Sequence, residues 1–81
     1  MQIKRSKTFL KSYTKLPLKI QLKTDECLVV FFDNPKNPTL RNHSLEGKYR
    51  GCRSIDITGD FRLIFRECSD GSYEIIELIN V

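Results

Sequence analysis

One segment of this 81-residue chain concentrates the residues that could do chemistry: HSLEGKYRGCRSIDITGDFRLIFR, which runs from His43 to Arg66. His43 is the only histidine in the chain, and an imidazole can act as an acid or a base near neutral pH. Simple solvent exposure is the alternative interpretation of a lone histidine in a loop. Asp56 and Arg62 lie among hydrophobic residues. They could form an exposed ion pair worth well under about 1 kcal/mol, and the same carboxylate could hold the guanidinium in place for a functional role.

The alternation of polar and apolar residues predicts that three strands position these side chains. They are Gly51 to Ile57, Phe61 to Glu67 and Tyr73 to Ile79, with Asp70-Gly71 as a strong hairpin turn between the last two.

The register of the first hairpin follows from its loop. A three-residue loop over residues 58–60 sets Asp56 opposite Arg62 and Ile55 opposite Leu63, whereas a two-residue loop would mix polar and apolar residues on each face. The sheet then has one dry face, covered by helix, and one wet face. The wet face carries Asp56, Arg62 and Arg66, with Ile64 between them.

The sequence predicts the secondary structure of the first half of the chain less clearly. Residues 2–4 read as a short strand, and a helix with Ser6 as its N-cap follows. Its apolar stripe is Phe9, Leu10, Tyr13 and Leu16. Pro17 ends that helix or opens another. Residues 18–32 alternate like a strand at their start but contain the helix-start signal Thr24-Asp25-Glu26, so both structures stay open. Residues 34–42, with two prolines, are predicted to be a loop.

Composition restricts the class of protein. A chain of 81 residues with 40% hydrophobic content fits one globular domain over residues 1–81. It has no apolar run long enough for a membrane span and no signal-peptide pattern, so we expect a cytoplasmic protein. Three scattered cysteines and one histidine indicate reduced thiols and argue against a zinc site.

Charge is distributed unevenly along the chain. Residues 1–24 carry seven basic groups and no acid, while the remainder is net negative, which leaves the whole chain at +4. A basic half favours a polyanionic partner or an acidic protein partner, and a solvated lysine face is the alternative.

The segment from His43 to Arg66 resembles the core of RelE-type toxins of toxin–antitoxin pairs, and most closely the RelE/YafQ branch. The pattern is His-x-Leu-x-Gly, then Gly-x-Arg-Ser, then Gly-Asp-Phe-Arg-Leu-Ile-Phe, and KSYTKLP (residues 11–17) looks like the family's first helix. The resemblance implies an α+β fold with a small twisted antiparallel sheet and two helices on one face, in the order β-α-α-β-β-β. It therefore favours a helix for residues 18–32.

The resemblance also implies an activity. Such toxins are small basic ribonucleases, most of which cut messenger RNA in the ribosomal A site through the RNA's own 2′-OH, without metal or cofactor. A cognate antitoxin silences them, and the antitoxin complex often binds the operator DNA of its own promoter.

The same resemblance implies roles for individual residues. His43 matches a catalytic histidine, Arg62 an arginine aimed at the scissile phosphate, and Asp60 a site acid that could equally be a turn residue. Phe61 stands where the YafQ branch has a base-contacting tryptophan, although the strand register places it in the core. The remaining RNA-binding candidates are basic residues: Lys48, Arg50, Arg53 and Arg66.

This sequence departs from the family pattern in two places. Asp56 stands where the YafQ branch has a histidine. The family also continues past the last strand with a tail that carries another site histidine and an aromatic residue, whereas this sequence stops at Leu78-Ile79-Asn80-Val81, through natural absence or truncation. These departures keep a second interpretation open, in which the fold binds an antitoxin or RNA without cleaving.

Overall fold

Two helices pack on one face of a five-stranded sheet in the computed structural model, which describes residues 2–81. The elements in chain order are β1 (Ile3–Arg5), α1 (Lys7–Thr14), α2 (Leu18–Asp33), β2 (His43–Ser44), β3 (Arg53–Asp56), β4 (Phe61–Glu67) and β5 (Tyr73–Asn80). Short 3-10 turns lie at Pro38–Leu40 and Gly47–Tyr49. None of the helices in residues 2–81 is long and apolar enough to cross a membrane.

The strand order is β1-β5-β4-β3-β2. The α+β prediction with two helices on one face is confirmed, but the sheet is mixed: β1 pairs with β5 in parallel, and the other pairs are antiparallel. β2 is an additional strand of two residues directly after the loop predicted over residues 34–42.

Helix α1 begins where the sequence predicts. The side-chain oxygen of Ser6 accepts a hydrogen bond from the backbone N–H of Phe9 (3.0 Å), which satisfies one of the free donors of the first turn. Phe9 is the buried residue of this helix and points its ring into the core. Pro17 is the N-cap of α2, so the proline opens the second helix.

Residues 18–33 form a helix, so the strand alternative for this segment is wrong. The buried residues of α2 are Thr24, Cys27 and Phe31, whose spacing of three and four is that of one helix face. The ring of Phe31 meets Phe65 and Tyr73 edge-on, with centroid distances of 4.8 and 5.2 Å. These aromatic contacts join α2 to the dry face of the sheet. They favour the helical periodicity of this segment over the strand alternation.

The predicted hairpin register is confirmed. Ile55 pairs with Leu63 and Asp56 with Arg62, and the N–H of Ile57 donates to the carbonyl of Phe61 (3.0 Å). β3 begins two residues later than predicted because Gly51 has φ +90° and the N–H of Cys52 donates to Tyr49 in a turn.

The face opposite the helices is only partly wet. Ile64 lies outside the helix-side core cluster, yet it is 1% exposed. It pairs with Ser54 on β3 and Glu77 on β5, and the Tyr49 hydroxyl donates to Glu77 (2.8 Å). Because Tyr49 belongs to the segment before β3, its side chain must cross the middle strand to reach Glu77. The residues near Ile64 therefore form a small second layer on that face.

Candidate functional site

The sheet face opposite the helices, here called the open face, brings together the chemistry-bearing residues of β2, β3 and β4. His43 pairs with Ser54, and Asp56 pairs with Arg62. Ser54 and Asp56 are two residues apart on β3, so they point to the same side of the sheet. By ordinary strand spacing, the Cα atoms of His43 and Arg62 are roughly 12 Å apart, with Ser54 and Asp56 on the strand between them.

The imidazole of His43 is held at both nitrogens. Nδ1 lies 2.8 Å from the carbonyl oxygen of Arg41, and Nε2 lies 3.2 Å from Oγ of Ser54. A carbonyl only accepts hydrogen bonds, so Nδ1 must carry the proton. In the neutral ring Nε2 is then the basic nitrogen, and it accepts a hydrogen bond from the hydroxyl of Ser54. Nε2 is therefore the atom through which His43 can exchange a proton with a substrate.

Arg41 reaches this position through an unusual backbone conformation. Its φ and ψ are 54° and 47°, in the left-handed region, and it is the one non-glycine residue with positive φ in the described chain. That conformation costs about 1–2 kcal/mol for an L residue, and such outliers cluster at functional sites. Here it turns the Arg41 carbonyl toward the imidazole.

Asp56 lies between two arginines. Nε of Arg62 is 3.0 Å from Oδ1, and Nε of Arg41 is 3.6 Å from Oδ2. Oδ1 is shielded from solvent and receives no aligned hydrogen bond from the described residues, so its contact with Arg62 is ionic. This arrangement neutralises a carboxylate that is mostly withdrawn from water.

Arg62 has a second anchor that does not involve Asp56. Its Nη1 donates to the backbone carbonyls of Thr58 (3.1 Å) and Gly59 (3.3 Å). Both carbonyls belong to the turn between β3 and β4. The turn thus fixes the guanidinium on the open face, and a guanidinium is a side chain suited to binding a phosphate.

Three of the predicted RNA-binding residues surround the open face or its rim. Lys48 stands in the turn before β3, with Nζ 5.4 Å from the centre of the Tyr49 ring. Arg50 ends that turn and is exposed. Arg66 is exposed, and its Nε donates to the carboxylate of Glu74 (2.8 Å). This hydrogen bond raises the pKa of the Arg66 guanidinium above its usual range.

Two other candidates lie on the helix side of the sheet. Arg53 alternates with Ser54 and donates through Nε to Asn42 (2.7 Å), in a groove that also contains Phe65 and Tyr73. Phe61 is half-buried and packs against the core cluster, as its register predicted. Neither side chain joins the group around His43, and contact of either with RNA stays a prediction.

Asp60 lies in the exposed turn before β4. Its backbone N–H donates to Oγ1 of Thr58 (3.1 Å), and its carbonyl accepts from Val81 (2.7 Å). These contacts make Asp60 part of a structured turn two residues from Arg62, so its catalytic role stays a prediction.

Three residues that make contacts on the open face were not identified from the sequence: Ser54, Arg41 and Tyr49. Ser54 is 1% exposed and looked like an ordinary strand residue, although its place two positions before Asp56 put it on the same face. Arg41 lay in a segment assigned only as a loop. The Tyr49 phenol, whose pKa is raised by its hydrogen bond to Glu77, joins distant segments, and no local pattern indicates such a contact.

Comparison with solved structures identifies the fold. The YoeB/ParE toxin from Agrobacterium tumefaciens superposes with a TM-score of 0.80 at 18% identity, covering 100% of this chain and 99% of that one. YafQ from E. coli strain BL21(DE3) gives 0.77 at 21% identity, covering 98% and 91%. The archaeal RelE–RelB complex from Pyrococcus horikoshii OT3 gives 0.78 at 21% identity, covering 98% and 92%.

No family model matches the sequence, and no curated protein matches it either. The structural likeness therefore carries the comparison, and it shows that the chain has the same fold as these YoeB/ParE, YafQ and RelE structures. The sequence resemblance is confirmed at the level of the fold.

Proposed function

We propose that this chain is the toxin of a toxin–antitoxin pair and a cytoplasmic endoribonuclease that cleaves messenger RNA in the ribosomal A site. The observation that carries the proposal is the pairing of a fixed imidazole with a fixed guanidinium on one sheet face. His43 presents Nε2 while Nδ1 is held by Arg41, and Arg62 is held by the 58–60 turn. A proton acceptor and a cation for the phosphate are two of the groups that phosphodiester cleavage without metal requires.

The proposed reaction begins with the RNA's own 2′-OH. Nε2 of His43 accepts the 2′-OH proton as the oxygen attacks the adjacent phosphorus, and Arg62 stabilises the charge that develops on the phosphorane. The bond from phosphorus to the 5′-oxygen breaks, which leaves a 2′,3′-cyclic phosphate and a 5′-hydroxyl. A proton must reach the leaving oxygen, and we assign Asp60 to assist this transfer.

Ser54 has a consequence for this cycle. In the free protein its hydroxyl occupies Nε2, the nitrogen that must accept the substrate's proton. Substrate binding must therefore displace the serine hydroxyl or rotate it away. Until then, the contact holds the ring in a defined orientation, which is what a positioned general base requires.

A cognate antitoxin is the proposed protein partner. The archaeal neighbour was solved as a complex of RelE with RelB. On this chain, α2 exposes the large apolar residues Leu18, Leu22, Val29 and Phe32, and Val29 and Phe32 border a groove with Ile3 of β1. Exposed apolar surface of this kind marks protein–protein contacts. We propose that the antitoxin binds this surface and that the resulting complex binds operator DNA.

The lysine-rich helices supply the proposed contact with the ribosome. Lys7, Lys11 and Lys15 accompany α1, and Lys19 and Lys23 lie on α2; all five are exposed. Their charge attracts the phosphates of RNA without reading sequence. The helices would thus dock the protein while the open face meets the messenger.

Primer extension on a translated messenger RNA after brief expression of the chain tests the proposal. Discrete cuts that disappear with His43→Ala and with Arg62→Ala are the expected result. Growth after expression is the second readout. If both variants still arrested growth as fully as the wild-type chain, the residue assignments would be overturned. Intact RNA in the presence of folded wild-type protein would favour a binding protein that retains the fold without cleaving.

A further inference from the structure

Two guanidinium groups converge on one carboxylate on the open face. Arg62 approaches Oδ1 of Asp56 at 3.0 Å, and Arg41 approaches Oδ2 at 3.6 Å. They come from separate segments, since Arg62 lies on β4 and Arg41 follows the Pro38–Leu40 turn. Two arginines around a pair of oxygens are the arrangement that also recognises a phosphodiester.

The contacts of the carboxylate with these arginines are ionic and imperfectly aligned. Oδ1 lies 3.0 Å from Nε of Arg62 without the alignment of a hydrogen bond, and Oδ2 lies 3.6 Å from Nε of Arg41. Neither contact is the short, aligned hydrogen bond that a guanidinium can make with an oxyanion. A phosphate group, with more acceptor oxygens, could satisfy both guanidinium groups.

Arg62 has an anchor besides Asp56, and the side chain of Arg41 is open to solvent. Nη1 of Arg62 is held by the carbonyls of Thr58 and Gly59. Arg41 is set by its left-handed backbone, and its side chain is 78% exposed, so it is open to a ligand. Its backbone carbonyl also holds Nδ1 of His43, so Arg41 contacts both the proposed base and Asp56.

We propose that Arg41 and Arg62 form a phosphodiester-binding cradle, in which the carboxylate of Asp56 occupies the place of the phosphate while the protein is free of RNA. Asp56 is then an internal competitor that lowers affinity for RNA. This inference rests on the proposed function only in taking the phosphodiester to be that of RNA, because anion binding requires no cleavage.

Binding of a fluorescein-labelled 2′-O-methyl RNA oligonucleotide tests the cradle separately from cleavage. Such RNA has no free 2′-OH and cannot be cut, so fluorescence anisotropy reports affinity alone. The variants are Asp56→Asn, Arg41→Gln and the double variant. Glu74→Gln is the matched control, because it makes the same change in net charge and removes the carboxylate that pairs with Arg66.

We expect Asp56→Asn to tighten binding about tenfold, beyond any effect of Glu74→Gln, because it frees both arginines. Arg41→Gln should weaken binding and lower the slope of log affinity against log salt by about one, as expected for one lost phosphate contact. The double variant should lose the gain from Asp56→Asn.

Two results would overturn the cradle. One is weaker or unchanged binding by folded Asp56→Asn, which would make Asp56 a support for Arg62. The other is an unchanged affinity and salt slope for Arg41→Gln. The second variant decides the matter even if Asp56→Asn fails to fold, because the exposed side chain of Arg41 contributes little to stability. Tighter binding by Asp56→Asn in a protein that cuts no RNA would support the cradle and contradict the nuclease.

Discussion

Nε2 of His43 lies 3.2 Å from Oγ of Ser54, a residue that is 1% exposed. This contact joins a solvent-facing imidazole to the buried layer of the open face. The carbonyl of Arg41 holds Nδ1, so Nε2 is the nitrogen left for proton transfer once the serine hydroxyl is displaced. The proposed chemistry therefore depends on a serine that a sequence pattern gives no reason to select.

The contact predicts energetic coupling between the two side chains. His43→Ala leaves the buried Ser54 hydroxyl without its partner, which costs about 1–3 kcal/mol of unfolding free energy. In a Ser54→Ala background that penalty should be absent, so the double-mutant cycle should show a coupling of the same size, about 1–3 kcal/mol. Urea denaturation of the four proteins measures it.

Ser44 provides the matched control for this cycle. It neighbours His43 in β2 but is exposed, so Ser44→Ala and His43→Ala should be additive. Additivity of Ser54→Ala with His43→Ala as well would contradict the observed hydrogen bond.

Arg62 and Arg66 provide a paired test of phosphate stabilisation. Both are on β4, and each pairs with a carboxylate through Nε. Only Arg62 lies beside the turn that fixes its guanidinium on the open face. Arg62→Gln should lower the single-turnover cleavage rate about 10²–10³-fold, whereas Arg66→Gln should lower affinity for RNA with less than about a tenfold effect on that rate. Equal losses in both variants would indicate a diffuse charge effect and no specific role for Arg62.

Phe31 and Phe32 test the assignment of α2. Phe31 is 0% exposed between Phe65 and Tyr73, while Phe32 is 55% exposed. Phe31→Ala should cost about 3–5 kcal/mol, a large part of the roughly 4–12 kcal/mol expected for a domain of this size. Phe32→Ala should change the unfolding free energy by less than about 0.5 kcal/mol. Similar losses in the two variants would contradict the helix orientation.

The Tyr49–Glu77 hydrogen bond predicts a pH dependence of stability. The bond raises the pKa of the Tyr49 phenol above its ordinary value of 10.0, so the folded state favours the protonated phenol. The resulting stabilisation is present below about pH 10 and is lost as pH rises through the raised pKa. The difference in unfolding free energy between wild type and Tyr49→Phe should therefore shrink above pH 10. A difference that stays constant from pH 8 to pH 11 would contradict this contact.

Parts of the fold followed from local rules. The N-cap Ser6 located α1, and the sorting of polar from apolar residues fixed the register that pairs Asp56 with Arg62. For residues 18–32 the local pattern favoured a strand as much as a helix. The packing of Phe31 against the sheet, which stabilises the helix, is not a local signal. The parallel pairing of β1 with β5 joins the two ends of the described chain, and no local signal specifies it.

The candidate site was predictable to the same extent. The register alone placed Asp56 opposite Arg62 on a wet face. Arg41 could not be found this way, since its carbonyl reaches His43 only through a left-handed backbone that an arginine does not favour by itself. The place of Ser54 on the same face as Asp56 could have been predicted from strand alternation. Nothing in the sequence indicates that it contacts the imidazole.

The most direct test of the central claim is the chemistry of the RNA ends made by the purified protein on ribosomes programmed with a defined messenger RNA. Wild-type protein should produce discrete cuts whose upstream fragments end in a 2′,3′-cyclic phosphate and whose downstream fragments begin with a 5′-hydroxyl, as mass spectrometry would show. His43→Ala should lower the yield of these fragments about 10²–10⁴-fold. Intact RNA with folded wild-type protein, or fragments with 3′-hydroxyl and 5′-phosphate ends, would contradict the proposed function.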